Sequence, residues 1–95
     1  MSFEVAIRRK AQAFIDSLPE KDQQIVINTL DRLADSPYPG KGGDKEKLVL
    51  SGGSFAYRIH IGRRYTAFYT IGKEAKLVQI HFVMTIEQAH KKYGR

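Results

Sequence analysis

Imidazole and guanidinium side chains are concentrated in the second half of this 95-residue chain. They belong to His60, His81, His90, Arg58, Arg63 and Arg64. A histidine can accept or donate a proton near neutral pH, and a guanidinium group binds phosphate oxygens. These groups suit cleavage of RNA without a metal. In that reaction a base takes the 2′-hydroxyl proton, cations stabilise the phosphorane and an acid protonates the leaving oxygen.

Metal-dependent chemistry is a poorer match to the same segment. Residues 48–95 contain two acidic residues, Glu74 and Glu87, which are 13 positions apart, whereas a magnesium site needs clustered carboxylates. The three histidines are separated by 21 and 9 positions, so no pair has the helical spacing of a zinc site. The chain has no cysteine, which excludes thiolate ligands and disulfides. We therefore expect neither a metal nor another cofactor.

The charge of the chain is distributed unevenly. Residues 1–47 contain eight acidic and eight basic residues, whereas residues 48–95 contain two acidic and eight basic ones. The second half therefore carries the whole net charge of +6. A one-sided positive field attracts nucleic acid or an acidic protein. The alternative is a basic surface that is simply solvated and has no partner.

The first half predicts a strand followed by a helical hairpin. Residues 3–7 alternate between apolar and other side chains, as a strand with one buried face does. A helix follows from Arg8 to Pro19, and a second helix runs to about Asp35. Ser17 and Glu20 predict a capping box at the start of the second helix. The apolar stripes of the two helices are Ala11, Phe14, Ile15 and Leu18, and then Val26, Leu30 and Leu33.

The second half predicts four strands and a short helix. After a loop over residues 36–44, the strands span residues 47–51, 55–61, 64–71 and 76–84. Turns fall at residues 52–53, 62–63 and 72–75, and Thr85 with Gln88 predicts a capping box for the last helix. Short turns between strands imply an antiparallel meander. We predict a single α+β domain over residues 1–95, with the N-terminal strand and helical hairpin packed on a curved antiparallel sheet and a short C-terminal helix.

The helical hairpin must cover one face of this sheet, because its apolar stripes need a partner. The opposite face is then at least partly open, and the alternation of the strands places six polar or basic residues on it. They are Arg58, His60, Arg64, Thr66, Gln79 and His81. Tyr57, Tyr65 and Tyr69 fall on the buried face. Further basic or aromatic candidates for RNA binding are Arg63, Lys91, Lys92 and Tyr93.

The sequence also predicts where the protein works. It has no run of 18 apolar residues, so we expect no membrane-spanning segment. Its first ten residues lack the apolar core of a secretory signal. We therefore expect a cytoplasmic protein that does not contact a membrane.

Four segments, taken in order, resemble the RelE/ParE superfamily of bacterial and archaeal toxins. They are LADSPYPGKG at residues 33–42, KLVLSGGSFAYRIHIGRRYTAFYTIG at 47–72, KLVQIHFV at 76–83 and AHKKYGR at 89–95. The resemblance covers almost the whole chain. It implies the RelE-like fold and a toxin of a type II toxin–antitoxin system, held inactive by an acidic, RelB-like antitoxin. In the RelE branch it also implies a ribosome-dependent endoribonuclease (an mRNA interferase) that inhibits translation by cutting mRNA through 2′-hydroxyl attack.

The same resemblance suggests which residues do the chemistry. Arg58 and His60 stand where the RelE branch has basic side chains. Thr66 stands where the family often has arginine, and Arg64 lies two positions earlier on the same predicted face. His90 stands where a tyrosine is common, and Ile86 lies in a segment where many members have His-Arg. The implied catalytic set is Arg58, His60, Arg64 and His90, with Arg63, His81, Lys91, Lys92 and Tyr93 binding RNA.

Two other functions stay open, and a nucleic-acid reader built on the first two helices around the basic run Arg8–Lys10 is a weaker alternative, because that half of the chain is neutral overall. The ParE branch shares the fold but inhibits DNA gyrase by binding it, without an RNA-cutting site, and the missing arginine favours that reading. The chain could also be an inactive member that binds its antitoxin and nothing else.

Overall fold

The computed structural model describes residues 2–40, 45–49 and 55–93, without the side chains of Phe55, Lys92 and Tyr93. The predicted turn at residues 52–53 and part of the loop at 36–44 lie outside these residues. The elements are β1 (Glu4–Ile7), α1 (Arg9–Asp16), α2 (Glu20–Asp31) with a 3₁₀ turn at Arg32–Ala34, β2 (Lys45–Val49), β3 (Phe55–Ile61), β4 (Tyr65–Gly72), β5 (Leu77–Thr85) and α3 (Ile86–Tyr93). The predicted α+β fold and its order of elements are confirmed.

The five strands form one sheet in the order β1-β5-β4-β3-β2. Neighbouring strands from β2 to β5 are antiparallel, as the short turns predict. β1 extends the sheet as an edge strand parallel to β5, with Val5 opposite Val78. This pairing continues past the strand, where the backbone N–H of Arg8 donates to the carbonyl of Ile80 over 2.9 Å. The start of α1 is therefore fixed beside the middle of β5.

The main core lies between the sheet and the α1–α2 pair. Its buried members are Ala11, Ile15, Val26, Leu30, Leu33, Ile59, Ile61, Tyr65, Ala67, Tyr69, Val78, Ile80 and Val83. The tyrosines predicted to be buried do lie here, since Tyr57 packs against this core and its ring stacks on that of Tyr69. The Tyr69 hydroxyl donates to the carbonyl of Pro37 over 2.7 Å, so its polar end is satisfied. A buried tyrosine without such a partner would destabilise the fold.

A smaller cluster lies on the opposite side of the sheet, which we call the outer face. Phe68 of β4, Met84 of β5 and Ala89 of α3 are buried together there, with Leu48 of β2 packed against them. Thus α3 folds back and covers part of the face that α1 and α2 leave uncovered. The outer face is partly open, as predicted, but an apolar cluster occupies a part of it.

One predicted helix cap is wrong and the other is confirmed. No side chain caps α2, which follows Pro19, because the hydroxyl of Ser17 instead donates to the carbonyl of Phe14 at the end of α1. At α3 the backbone N–H of Gln88 donates to the Thr85 hydroxyl, and the Gln88 side chain accepts from the Thr85 N–H. This reciprocal pair is a capping box, and it fixes the angle at which α3 leaves β5.

The helices in the described residues are short. The longest, α2, has 12 residues, and a helix needs about 20 to cross a bilayer. Among the residues that the structure describes, no helix is long and apolar enough to span a membrane.

Candidate functional site

Strand β3 places Arg58 and His60 on the outer face, as the alternation predicts. Ile59 and Ile61, which lie between and beyond them, are buried in the main core. His60 is exposed and lies opposite Thr66 of β4. The imidazole is therefore accessible from solvent on the side away from α1 and α2.

Arg58 is on the expected face but is not open to solvent. The residue is 9% exposed, and its guanidinium group forms an ion pair with Glu46, which lies directly opposite on β2. The Arg58 Nε has no hydrogen-bond partner among the described residues. β2 begins at Lys45 and brings this carboxylate alongside β3, so Arg58 is paired instead of open, and its role in phosphate binding stays a prediction.

Arg64 does not share the outer face with Thr66. It belongs to the turn between β3 and β4, where Gly62 and Arg63 have positive φ and the Arg64 N–H donates to the Ile61 carbonyl over 3.1 Å. Strand β4 starts one residue later than predicted, at Tyr65. The alternation counted from Arg64 therefore fails, and the predicted cluster of Arg58, His60 and Arg64 does not form.

Asp22 of α2 holds Arg64 on the helical side of the sheet. Its carboxylate lies 3.3 Å from the Arg64 guanidinium and accepts a 2.6 Å hydrogen bond from the Tyr65 hydroxyl. That hydrogen bond raises the pKa of Tyr65, with burial adding to the effect. The Arg64 side chain is still 72% exposed, so this ion pair leaves most of the guanidinium available to a ligand.

Three of the predicted residues do converge at one end of the sheet. A hollow of about 530 Å³ is lined by Arg63, Arg64, Tyr65, Thr85, Ile86, Glu87 and His90, and we call it the turn hollow. The Ile86 N–H donates to the Arg64 carbonyl over 2.9 Å, which joins the β3–β4 turn to the first residue of α3. The capping box at Thr85 then fixes the helix that carries the acidic and imidazole groups.

The turn hollow holds the groups that metal-free phosphoryl chemistry requires. Glu87 and His90 are three residues apart on α3, a spacing that places both side chains on the same side of a helix. Arg63 and Arg64 supply two guanidinium groups from the turn. A carboxylate and an imidazole can exchange protons with a substrate while the guanidinium groups stabilise charge on a phosphate.

His81 belongs to a different hollow. With Arg8, Arg9, Lys10 and Phe82 it lines a space of about 720 Å³ beside the start of α1, which we call the N-terminal hollow. Burial lowers the pKa of His81, and the positive charge of Arg8 lowers it further. The imidazole is therefore neutral at pH 7.

The ring of His81 is held by Thr70, whose hydroxyl lies 2.8 Å from the imidazole Nε2. The β4–β5 register shifts close to this point, between Phe68 and Tyr69. His81 is thus an oriented, neutral side chain in the middle of the sheet. It does not line the turn hollow with His90.

The remaining predicted ligands lie on α3. Lys91 is exposed. Lys92 and Tyr93 are within the helix, but their side chains lie outside the described part of the structure. Across residues 2–40, 45–49 and 55–93, no three histidine or acidic side chains are grouped so as to hold a metal ion.

Sequence reasoning missed several participants. Glu46 and Asp22 pair with arginines, and Glu87, which stands apart from other acids in the sequence, lines the same hollow as His90. The run Arg8–Lys10 was visible as three consecutive cations. The parallel β1–β5 pairing that brings this run to His81 gives no short-range signal.

Comparison with known proteins adds a structural relationship. No protein-family model matches the chain, and no curated protein sequence matches it. The chain is similar to a protein in the crystal structure of the archaeal RelE–RelB complex from Pyrococcus horikoshii OT3, at 25% identity and a TM-score of 0.74, over 90% of this chain and 96% of that one.

Two further solved structures have the same fold. One is the toxin–antitoxin complex RelBE2 from Mycobacterium tuberculosis, at 19% identity and a TM-score of 0.74, over 90% of this chain and 99% of that one. The other is the YoeB dimer from Staphylococcus aureus, at 14% identity and a TM-score of 0.64, over 86% of this chain and 94% of that one. These likenesses show that the chain has the RelE-like fold.

Proposed function

We propose that this chain is the toxin of a type II toxin–antitoxin system and that it cleaves messenger RNA on the ribosome. Its structural similarity to RelE and YoeB toxins supports the toxin assignment. The convergence of Arg63, Arg64, Glu87 and His90 on one hollow is the observation that carries the nuclease proposal. The proposed activity takes place in the cytoplasm, where ribosomes and messenger RNA are found.

In the proposed reaction the Glu87 carboxylate takes the proton from the 2′-hydroxyl of the nucleotide before the cut. The 2′-oxygen attacks the adjacent phosphorus, and Arg63 and Arg64 stabilise the charge that builds on the phosphoryl oxygens. The bond from phosphorus to the 5′-oxygen then breaks, and protonated His90 gives its proton to that oxygen. The products are a 2′,3′-cyclic phosphate and a 5′-hydroxyl, so no water, metal or cofactor is consumed.

His60 is the second acid–base candidate, since its imidazole is exposed on the outer face. Arg58 has a supporting role in this proposal, because Glu46 already neutralises its charge. We place RNA contact at His60 and proton transfer at the turn hollow, where acid, base and cations occur together. Lys91, on the same helix as His90, is a further contact for the message.

The proposed partner that silences the toxin is an acidic antitoxin. The solved structures from Pyrococcus horikoshii and Mycobacterium tuberculosis are toxin–antitoxin complexes, and the net charge of +6 suits an acidic protein. Co-expression with a neighbouring acidic reading frame should abolish growth arrest by this chain. Arrest that persists with every such candidate would contradict the partner.

The nuclease is tested by incubating the purified chain with ribosomes that carry a defined message and mapping the new RNA ends. We expect cleavage by the native chain and a loss of about 100-fold for Arg63→Gln with Arg64→Gln, because donors to the phosphate are removed. His60→Ala is the matched variant from the outer face and should lose much less. If His60→Ala abolishes cleavage and the double variant does not, the catalytic site lies on the outer face instead. An intact message with the native chain would refute the nuclease.

A ParE-like toxin that binds DNA gyrase is the second candidate. The neutralisation of Arg58 by Glu46 favours it, since that arginine is then poorly placed to bind a phosphate. In this case the native chain inhibits supercoiling by purified gyrase and leaves ribosome-bound message intact. If the chain binds its antitoxin but neither cuts ribosome-bound message nor inhibits gyrase, it is an inactive toxin relative that only binds its antitoxin.

A further inference from the structure

The N-terminal hollow is a basic site that the proposed chemistry does not use. Arg8, Arg9 and Lys10 line it from the start of α1, and His81 and Phe82 line it from β5. It is larger than the turn hollow, at about 720 Å³ against about 530 Å³. Among the described residues no acidic side chain lines it, whereas the turn hollow contains Glu87.

The three cations of this hollow are available to a ligand. All three are exposed, and within the described part of the chain none of them forms an ion pair. The first turn of α1 has no acidic residue. Arg58 and Arg64, by contrast, each have a carboxylate partner. Three neighbouring unpaired cations repel one another, and an anion would relieve that repulsion.

The hollow is also held in a fixed shape. The hydrogen bond from the Arg8 N–H to the Ile80 carbonyl holds the start of α1 against β5. Thr70 orients the ring of His81. Phe82 lies on the outer face, opposite Phe68, and is 36% exposed. A partly exposed aromatic ring therefore lies beside three cations.

We propose that the N-terminal hollow binds single-stranded RNA, with Arg8, Arg9 and Lys10 on backbone phosphates and Phe82 stacking on a base. Cations that follow a backbone, next to an aromatic ring that accepts bases, are the usual elements of a single-strand binding surface. An acidic peptide would also neutralise the cations, but the aromatic ring beside them favours a polynucleotide, in which every phosphate is accompanied by a base that can stack. The inference deepens the proposed function and rests on it, because it gives the toxin a second contact with RNA outside the turn hollow.

The test measures binding of a fluorescein-labelled 12-nucleotide single-stranded RNA to the full chain by anisotropy, without ribosomes. Arg8→Gln with Arg9→Gln should weaken binding about 10-fold. It should also reduce the slope of log affinity against log salt by about 1.4, or 0.7 for each of two phosphates. The control, Arg32→Gln with Lys73→Gln, removes two exposed positive charges elsewhere, so it has the same net charge as the Arg8→Gln and Arg9→Gln double variant. It should stay within about twofold of the native chain.

The aromatic contact is tested separately. Phe82→Leu keeps an apolar side chain but removes the ring face, and should weaken RNA binding about fivefold or more. The same variants are titrated with a poly-glutamate peptide of equal length. Equal losses in the hollow and control variants would overturn the proposal, as would loss of peptide binding with unchanged RNA binding.

Failure of this inference can be told apart from failure of the proposed function. If Arg8→Gln with Arg9→Gln binds RNA as the native chain does, the N-terminal hollow is not an RNA site, even where ribosome-bound message is cut. If that variant loses RNA binding and the native chain leaves ribosome-bound message intact, the hollow is an RNA site and the nuclease proposal falls.

Discussion

The turn hollow and the N-terminal hollow differ in composition, and the difference separates catalysis from binding. The first combines two arginines with a carboxylate and a histidine. The second combines three cations with a neutral histidine and an aromatic ring. Cleavage needs a proton acceptor and a proton donor beside the cations that hold the phosphate. Binding a single strand needs only positive charge and a surface on which bases stack. Changes in the turn hollow should therefore affect the rate of cleavage, and changes in the N-terminal hollow should affect affinity.

The largest effect is expected for the acid and the base. Glu87→Gln or His90→Asn should each reduce single-turnover cleavage on ribosomes by about 100-fold to 10,000-fold, the usual contribution of general acid–base catalysis. Rates that change by less than threefold in both variants would show that proton transfer happens elsewhere.

Asp22 links the turn to the main fold, so its loss should show in stability. Asp22→Ala removes the acceptor of the Tyr65 hydroxyl and the partner of Arg64. Because a hydrogen bond to a charged group contributes about 1.5–3 kcal/mol, we expect the free energy of unfolding to fall by about 2 kcal/mol. Glu46→Ala leaves the buried guanidinium of Arg58 without its carboxylate, so it should cost at least as much. Urea denaturation of both variants measures this, and an unchanged free energy of unfolding in Asp22→Ala would contradict the role of that carboxylate.

The N-terminal hollow should affect the Michaelis constant more than the turnover number. With ribosomes present, Arg8→Gln and Arg9→Gln together should raise KM about 10-fold and leave kcat within twofold. They should also make KM less dependent on salt concentration. Arg32→Gln with Lys73→Gln is again the charge-matched control. A loss confined to kcat would place these arginines in the chemistry and remove the distinction between the two hollows.

The smallest effect is the pH dependence that His81 gives to stability. Its pKa is lower in the folded chain than the ordinary value of 6.5, so the unfolded chain takes up this proton first as the pH falls. The free energy of unfolding should therefore decrease as the pH drops below about 6.5. The contribution of His81 stops changing once the pH is below the pKa of His81 in the folded chain. His81→Gln should flatten that part of the curve, measured by urea denaturation from pH 7.5 to 5. An unchanged curve would show that other groups control the slope.

Local patterns in the sequence predicted most of the fold. Period-two alternation located β3 and β4, a segment apolar on both faces at residues 76–84 located β5, and the capping box at Thr85 placed the start of α3 within one residue. The prediction failed at Arg64 because alternation carries no information about an extra residue in a turn. It failed at Ser17 because the end of one helix and the start of the next competed for the same hydroxyl.

The candidate site was harder to predict because it depends on contacts between distant residues. Asp22 and Arg64 are 42 positions apart, and Glu46 meets Arg58 through strand pairing whose register depends on the start of β2. The N-terminal hollow joins Arg8 to His81 across nearly the whole chain. Residue types and charge imbalance predicted which groups could act, but pairing across the sheet decides which of them meet.

The most direct test of the turn hollow as an RNA-cutting site concerns the 2′-oxygen. Ribosomes are loaded with a message in which one nucleotide, the one before the mapped cut, carries a 2′-deoxyribose. Cleavage at that bond should fall below detection, and the natural message should give a fragment ending in a 2′,3′-cyclic phosphate. Undiminished cleavage of the deoxy message, or fragments ending in a plain 3′-hydroxyl, would contradict attack by the 2′-oxygen. It would therefore also contradict the roles given to the side chains of the turn hollow.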